Sequence, residues 1–401
     1  MTPGAILLLS ALAALVLLGA RTGFGRGPLP VVLRPLVETG TVFIVLGALL
    51  GPFGLNLFTD ALLSQLSPVI VIGLGWIGFL YGSHFEWRLL RRYPAALYGA
   101  AATEALLVFA GVGSLAWLLL SYWLAADLPP AERLVAAGIL GICASGTAPA
   151  GVFQLAGRAR MRPDDQAALR FLSTVDDLPG IVLLGLLGAL LHPLSPGLFS
   201  PQTALWLLAS VACGVGLGFI THWLFPTQDD VRQNSLVLLG VVSLGAGAAA
   251  MLRLSPLFVT ALCGLTFANL SPRKEQAYGL LVESEHTLYT VFLLVAGLLF
   301  NLDWGPLLVL VPAYLLSRAA AKLGGGYVAG RLLMRGTGVS PYIGAGLLFQ
   351  GGMTLAMAVS FQQAHLGTLN SQVTTTVVLG VIVFELIAPP LVGAVLTRRR
   401  R

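Results

Sequence analysis

Five acidic side chains lie inside long apolar stretches of the sequence, where carboxylates are unusual: Glu38, Glu104, Asp176, Asp177 and Glu385. Each would cost about 2.5–3.5 kcal/mol at the centre of a membrane helix on insertion scales. Asp176 and Asp177 carry that cost side by side, and aspartate is a poor helix former that offers no local compensation. Such carboxylates usually face an aqueous path and carry ions or protons. We therefore expect ion chemistry at this pair, with helix locking as the structural alternative for all five residues.

The two adjacent aspartates are expected to have different roles. Neighbouring positions on a helix point about 100° apart, so one carboxylate can face a cavity while the other meets a neighbouring helix. Ser173 and Thr174 lie about one turn before Asp177 and could add hydroxyl oxygens on its side. A proton and a hard cation such as Na⁺ would then compete for the same oxygens.

A basic partner for the pair is offered by one later apolar stretch, which contains Arg318 and Lys322 four residues apart and so on one helix face. A lysine beside a buried aspartate can stay charged as half of an ion pair. The alternative is that both long side chains extend to the membrane interface.

The composition is that of a membrane protein. Of 401 residues, 57% are hydrophobic and only 10% are charged, against about 25% charged in a typical soluble domain. The formal net charge of +6 comes with no basic face interleaved with aromatics, so we expect no nucleic-acid partner. The cysteines form no metal spacing, and we expect no cofactor. They are Cys143, Cys213 and Cys263.

Apolar runs predict thirteen membrane segments and no soluble domain. The stretch before the first run carries no Lys or Arg, so we interpret that run as a span rather than a signal peptide. The segments are 4–20, 29–50, 62–82, 95–125, 134–156, 167–191, 203–224, 235–251, 256–270, 284–302, 305–330, 340–362 and 373–396.

Basic residues support this count through the positive-inside rule. Seventeen of the 23 Lys and Arg residues fall in loops after odd-numbered segments or in the basic tail 398–401, and only Arg133 and Arg253 fall in the other loops. The pattern predicts an external N-terminus and a cytoplasmic C-terminus in a cell (inner) membrane.

Two segments carry helix breakers near their middle. Gly146 and Pro149 interrupt segment 134–156, with Ser145 and Thr147 beside them, and Gly351-Gly352 interrupt segment 340–362. Breaks at matching positions of two halves point to a transport site, although glycines for tight packing are the alternative.

A scheme of two inverted repeats places the two helix breaks at corresponding positions. Residues 1–401 would form a single membrane domain with inverted six-segment repeats over 1–191 and 235–397, joined by the linker helix 203–224. The broken segments then correspond, as do the segments with Asp176-Asp177 and Glu385.

Several stretches together resemble the monovalent cation:proton antiporters of the second cation–proton antiporter class. They are residues 46–55 (LGALLGPFGL), 78–82 (GFLYG), 174–177 (TVDD), 291–302 (VFLLVAGLLFNL) and 321–325 (AKLGG). The resemblance covers nearly the whole chain, and the aspartate pair with a lysine is its most specific part.

The resemblance implies the sodium/proton antiporter fold, with crossed discontinuous helices, and a homodimer. It implies that Asp177 binds the cation and proton while Asp176 pairs with Lys322. It also implies electrogenic exchange of two protons per Na⁺. Arg318 could substitute as salt-bridge partner, because it lies beside Lys322.

We therefore expect an antiporter that exchanges Na⁺, or K⁺ or Li⁺, for protons by alternating access. Its cation would lie on Asp177, with oxygens from Asp176, Ser145, Thr147 or Thr174, while Glu104 and Glu385 are secondary candidates. The main rival is a Na⁺- or H⁺-coupled symporter of organic solutes, which needs more room than a crossing lined by Ala and Gly provides. A membrane sensor or scaffold would leave the carboxylates dispensable. We expect no enzyme, because no nucleophile–base spacing is present.

Overall fold

The computed structural model describes residues 40–158, 161–192, 200–225, 231–272, 277, 279, 289–302, 304–364 and 369–396. The predicted segment 4–20, Glu38 and the basic tail 398–401 lie outside this part of the chain. Within it the fold is all-helical, as predicted, and no β-strand is present.

The helices follow the apolar runs of the sequence. A π-helical turn, Leu120–Leu124, directly continues the α-helix that ends at Leu119, and Ile343–Leu348 forms a 3₁₀-helix. The α-helices are α1 (Val42–Leu50), α2 (Asp60–Ser83), α3 (Trp87–Leu90), α4 (Ala95–Leu119), α5 (Pro130–Ser145), α6 (Pro149–Arg158), α7 (Pro163–Val175), α8 (Asp177–Leu190), α9 (Pro201–Leu224), α10 (Val231–Met251), α11 (Pro256–Leu270), α12 (Tyr289–Leu298), α13 (Trp304–Leu332), α14 (Gly352–Ala364) and α15 (Asn370–Leu396).

Eight stretches of the described chain are long and apolar enough to cross a membrane. Two shorter apolar helices, α11 and α12, accompany them. The predicted separation of segments 235–251 and 256–270 is confirmed. There α10 ends at Met251, and the Ser255 hydroxyl caps α11 by accepting the Phe258 N–H at 3.3 Å, with Pro256 as the first helical residue.

Both predicted helix breaks are present. The first separates α5 from α6 at residues 146–148, and the second separates the 3₁₀-helix from α14 at residues 349–351. The two breaks meet, because the Ala148 N–H donates to the Phe349 carbonyl at 3.1 Å. The crossed discontinuous helices of the expected fold are therefore observed. The division into two inverted repeats stays a prediction.

Segment 167–191 lies in one apolar span, Pro163–Leu190, as predicted, but the helix is interrupted at a single residue. Here α7 ends at Val175, Asp176 lies in a turn, and α8 begins at Asp177. Pro179 has no N–H to donate to the Val175 carbonyl four residues earlier, which removes one of the bonds that would join the two helices. The aspartate pair therefore lies at a helix joint within this span.

Glycines allow α2 and α11 to approach closely. A Cβ on Gly82 would overlap the Ala261 carbonyl oxygen, and a Cβ on Gly264 would overlap the Phe79 carbonyl oxygen. In membranes, where lipid is as apolar as the helices, such close packing is a main source of helix association.

We expect Gly82→Ala to lower the stability of the protein by about 1–3 kcal/mol, because the added methyl group must push the α11 backbone away. Thermal unfolding in detergent measures the change. Gly216→Ala on α9 is the matched control, since a Cβ there meets no atom within 4 Å. An equal loss of melting temperature in both variants would contradict the packing role of Gly82.

Candidate functional site

Lys322 lies at the centre of a buried polar cluster beside the point where the two helix breaks meet, which we call the crossing. From α13 its Nζ donates to the Ser145 carbonyl at 2.5 Å and to the Thr147 hydroxyl at 3.0 Å. It also contacts two carboxylates, Asp176 Oδ2 at 3.2 Å and Glu104 Oε1 at 3.1 Å. All of these groups are buried, and Lys322 itself has no exposed surface. Extension of Lys322 to the membrane interface is therefore wrong, and the lysine joins α4, α5, α13 and the helix joint.

The two aspartates have unequal surroundings. Asp176 Oδ2 is paired with Lys322, while its Oδ1 has no hydrogen-bond partner. Asp177 is equally buried, and its carboxylate makes no hydrogen bond or ion pair with any group in the described part of the chain. A buried carboxylate left unpaired is costly, and it is ready to take up a proton or a cation.

Asp177 lies directly against the broken helix. A Cβ on Gly146 would overlap Asp177 Oδ1 and would lie 3.3 Å from the hydroxyl oxygen of Thr354 on α14. Only glycine therefore leaves space for the carboxylate at this break. Sequence reasoning missed Thr354, whose signal was its position two residues after the Gly351-Gly352 pair.

Arg318 serves the backbone of the crossing rather than a carboxylate. Its guanidinium donates to the carbonyls of Ala144 at 3.0 Å and Gly146 at 2.9 Å on one broken helix. On the other it donates to the carbonyls of Leu348 at 2.8 Å and Phe349 at 3.3 Å. These are the unpaired carbonyls that a helix C-terminus presents, where the helix dipole is negative.

In this structure Arg318 forms no ion pair with a described carboxylate, and its role as a substitute salt-bridge partner stays a prediction. Its side chain is fully buried and does not reach the membrane interface. The guanidinium also stacks on the Phe384 ring, with Arg318 Cζ 4.4 Å from the ring centroid. Within the described residues the carboxylates of this cluster have Lys322 as their ion-pair partner.

Two hydroxyl groups proposed as cation ligands bond to their own helices. The Ser145 hydroxyl donates to the Ile142 carbonyl at 2.8 Å, and the Thr174 hydroxyl donates to the Arg170 carbonyl at 2.9 Å. Such bonds to residues three or four positions earlier are common for Ser and Thr in helices. Each oxygen keeps lone pairs that could bind a cation, so the roles of Ser145 and Thr174 as ligands stay predictions.

The second break is closely packed and polar. A Cβ on Gly352 would overlap the Tyr289 ring, and a Cβ on Gly351 would lie 2.7 Å from the Ala148 Cβ. Gln350 donates to the Cys143 carbonyl at 3.0 Å and to the Tyr314 hydroxyl at 2.7 Å. An uncharged side chain thus links α5 and α13 at this point.

Glu385 makes no ion pair with Lys322, but the charge of Arg318 acts on it. It is buried on α15, and its Oε2 has no hydrogen-bond partner. Glu104, the other secondary candidate, belongs to the cluster through Lys322. The sequence placed Glu104 in a helix and could not show which neighbour its side chain meets.

Comparison with known proteins identifies the family of this chain. The family model for the sodium/hydrogen exchanger transmembrane domain matches residues 9–398. No curated protein sequence matches significantly.

Two solved structures of one protein are similar in fold. The sodium proton antiporter MjNhaP1 from Methanocaldococcus jannaschii at pH 8 has a TM-score of 0.65 at 16% identity, over 98% of this chain and 97% of that one. An electron-microscopy structure of the same antiporter gives a TM-score of 0.61 at 16% identity, over 98% and 96% of the two chains. With a family model that matches nearly its whole length, this chain belongs to the sodium/hydrogen exchanger family of membrane cation/proton antiporters.

Proposed function

We propose that this antiporter exchanges one Na⁺ for two protons by alternating access, with Asp177 as the group that binds the cation and the proton in turn. The observation that carries the proposal is the Asp177 carboxylate, buried without a partner against the broken helix at Gly146. Deprotonated, it offers a full negative charge to a cation. Protonated, it is neutral and compatible with burial.

A small hard cation suits the oxygens available. Na⁺ binds carboxylate, carbonyl and hydroxyl oxygens, and Asp177 is adjacent to Asp176, whose Oδ1 is also without a partner. The Thr354 hydroxyl lies beside the same face of Gly146, 3.3 Å from the position of a Cβ there, and is the third ligand we propose.

The packing of the crossing favours an ion over an organic solute. A Cβ on Gly151 would overlap the Phe349 ring, and Gly351 packs against Ala148. These contacts fill the space that a larger substrate would need. They support the antiporter over the symporter.

We propose that the movement separates two groups of helices. The bundle with the crossing would move against the helices of segments 4–20, 29–50, 62–82, 235–251, 256–270 and 284–302. The close α2–α11 packing at Gly82 and Gly264 supports a rigid second group. The distribution of basic residues supports a cytoplasmic C-terminus in the cell membrane, and we propose a homodimer by resemblance to the family.

The test is exchange in proteoliposomes with a pH-sensitive dye inside. We expect addition of Na⁺ to drive proton movement, with Li⁺ and K⁺ measured in parallel to rank the cations. A membrane voltage imposed across the liposomes should change the rate, since two protons for one Na⁺ moves net charge. Absence of proton movement with all three cations, together with a thermal shift on adding an organic anion, would favour the symporter and overturn the proposal.

A further inference from the structure

One ammonium group serves two buried carboxylates in this structure. Lys322 Nζ lies 3.1 Å from Glu104 Oε1 and 3.2 Å from Asp176 Oδ2. The two carboxylates come from different elements, α4 and the joint between α7 and α8. Lys322 can therefore remain in an ion pair when either carboxylate loses its charge or turns away.

The charges of the cluster do not balance without protons. Arg318 gives hydrogen bonds to four carbonyls at the two helix ends, and its charge also acts on the buried carboxylates around it. Four buried carboxylates, Glu104, Asp176, Asp177 and Glu385, then share the two positive charges of Lys322 and Arg318. Two negative charges are left over in a buried site, and two protons would neutralise them.

Lys322 is a poor candidate for releasing a proton. Its three N–H donors face the Ser145 carbonyl, the Thr147 hydroxyl oxygen and two carboxylates. A neutral amine would direct a lone pair at one of these oxygens and would leave a buried carboxylate without its cation. The surroundings of Lys322 thus favour the ammonium form throughout.

We propose that Glu104 is the second proton-binding group of the exchange and that Lys322 keeps its proton and changes partner. This inference rests on the proposed function, because it assigns the second of the two protons. With the cation bound, Asp177 and Asp176 face the cation, and Lys322 pairs with the Glu104 carboxylate. With protons bound, Asp177 and Glu104 each carry an O–H group, and Lys322 pairs with Asp176.

The proton balance closes over one cycle. Two O–H bonds form when the cation leaves, one on Asp177 and one on Glu104, and both break on the other side of the membrane as the next cation binds. No N–H bond of Lys322 breaks. The charged and titratable groups that act on Glu104 are Lys322, Asp176 and Arg318.

The test measures the coupling ratio in proteoliposomes whose voltage is held at zero by valinomycin and equal K⁺ on both sides. Flux stops when the pH difference equals half the logarithmic Na⁺ gradient for two protons, and the whole gradient for one. We expect a ratio of two for the wild type and of one for Glu104→Gln. Glu132→Gln, in the first turn of α5 and outside the cluster, should keep a ratio of two.

Lys322→Arg distinguishes Glu104 from Lys322 as the group that carries the second proton, because arginine is not deprotonated in proteins. We expect a ratio of two in this variant. Proton release on Na⁺ binding to the detergent-solubilised protein gives the same comparison without turnover: two protons for the wild type and one for Glu104→Gln.

The results test the role of Glu104 and the antiport function separately. A ratio of two in Glu104→Gln, or a release of two protons from it, overturns the role of Glu104 and leaves the antiport proposal standing. A ratio of one in the wild type overturns both the second proton site and electrogenic exchange. Failure of the wild type to exchange any cation for protons overturns the proposed function itself.

Discussion

Asp177→Asn is expected to reduce cation/proton exchange to the rate of protein-free liposomes. The amide has nearly the same shape as the carboxylate, but it carries no charge to hold a cation and does not take up the transported proton. Since Asp177 makes no hydrogen bond in the described structure, the substitution breaks no existing contact. Dye-reported proton flux driven by Na⁺ gives the rate, and thermal unfolding with and without Na⁺ reports binding.

The stability of this variant separates a lost ligand from a misfolded protein. We expect Asp177→Asn to melt at or above the wild-type temperature without Na⁺, because the neutral amide needs no proton to be compatible with burial. The stabilisation by Na⁺ should disappear. Asp127→Asn, an exposed aspartate between α4 and α5, is the matched control and should exchange normally. Normal flux through Asp177→Asn would exclude this carboxylate as the carrier.

Arg318→Gln is expected to have the largest effect on stability. The substitution removes the positive charge and leaves at least two of four buried carbonyls without a donor, at about 1–3 kcal/mol for each orphaned group. We therefore expect a loss of at least about 2 kcal/mol and poor recovery of folded protein. Thermal unfolding and size-exclusion chromatography in detergent measure both effects.

Two variants test whether geometry or charge accounts for this role. Arg318→Lys keeps the charge but cannot span the carbonyls of Ala144, Gly146, Leu348 and Phe349 with a planar fork, so it should restore only part of the stability. Arg331→Gln removes an exposed arginine at the end of the same helix and should unfold like the wild type. Equal melting temperatures for Arg318→Gln and Arg331→Gln would contradict the carbonyl-bridging role.

Much of the fold followed from the sequence because apolar runs and helix breakers act locally. Hydropathy predicted α2, α4, α9, α13 and α15 to within a few residues. Gly146 and Gly351 predicted both breaks, since glycine is a poor helix former wherever it occurs. The cost of burying charge identified the aspartate pair without knowledge of any contact.

The contacts of the cluster could not be predicted in the same way. Helix periodicity gives the face on which Glu104 lies but not the neighbour it meets, so its pairing with Lys322 was not expected. The partners of Arg318 are backbone carbonyls, which no side-chain pattern reveals. Thr174 and Ser145 were chosen for their oxygens, but each hydroxyl had a nearer acceptor on its own helix.

The turn at Asp176 gives the aspartate pair a mechanical property that a continuous helix would lack. Asp177 is the first residue of α8, which is about 21 Å long at 1.5 Å per residue. It therefore lies at the end of the helix about which α8 would tilt. A tilt of about 10° about that point would carry the far end through about 3–4 Å. Near the middle of the helix, Gly185 rests against the Phe258 ring of α11. A small adjustment at the aspartate pair would therefore reach α11 as a displacement large enough to repack side chains.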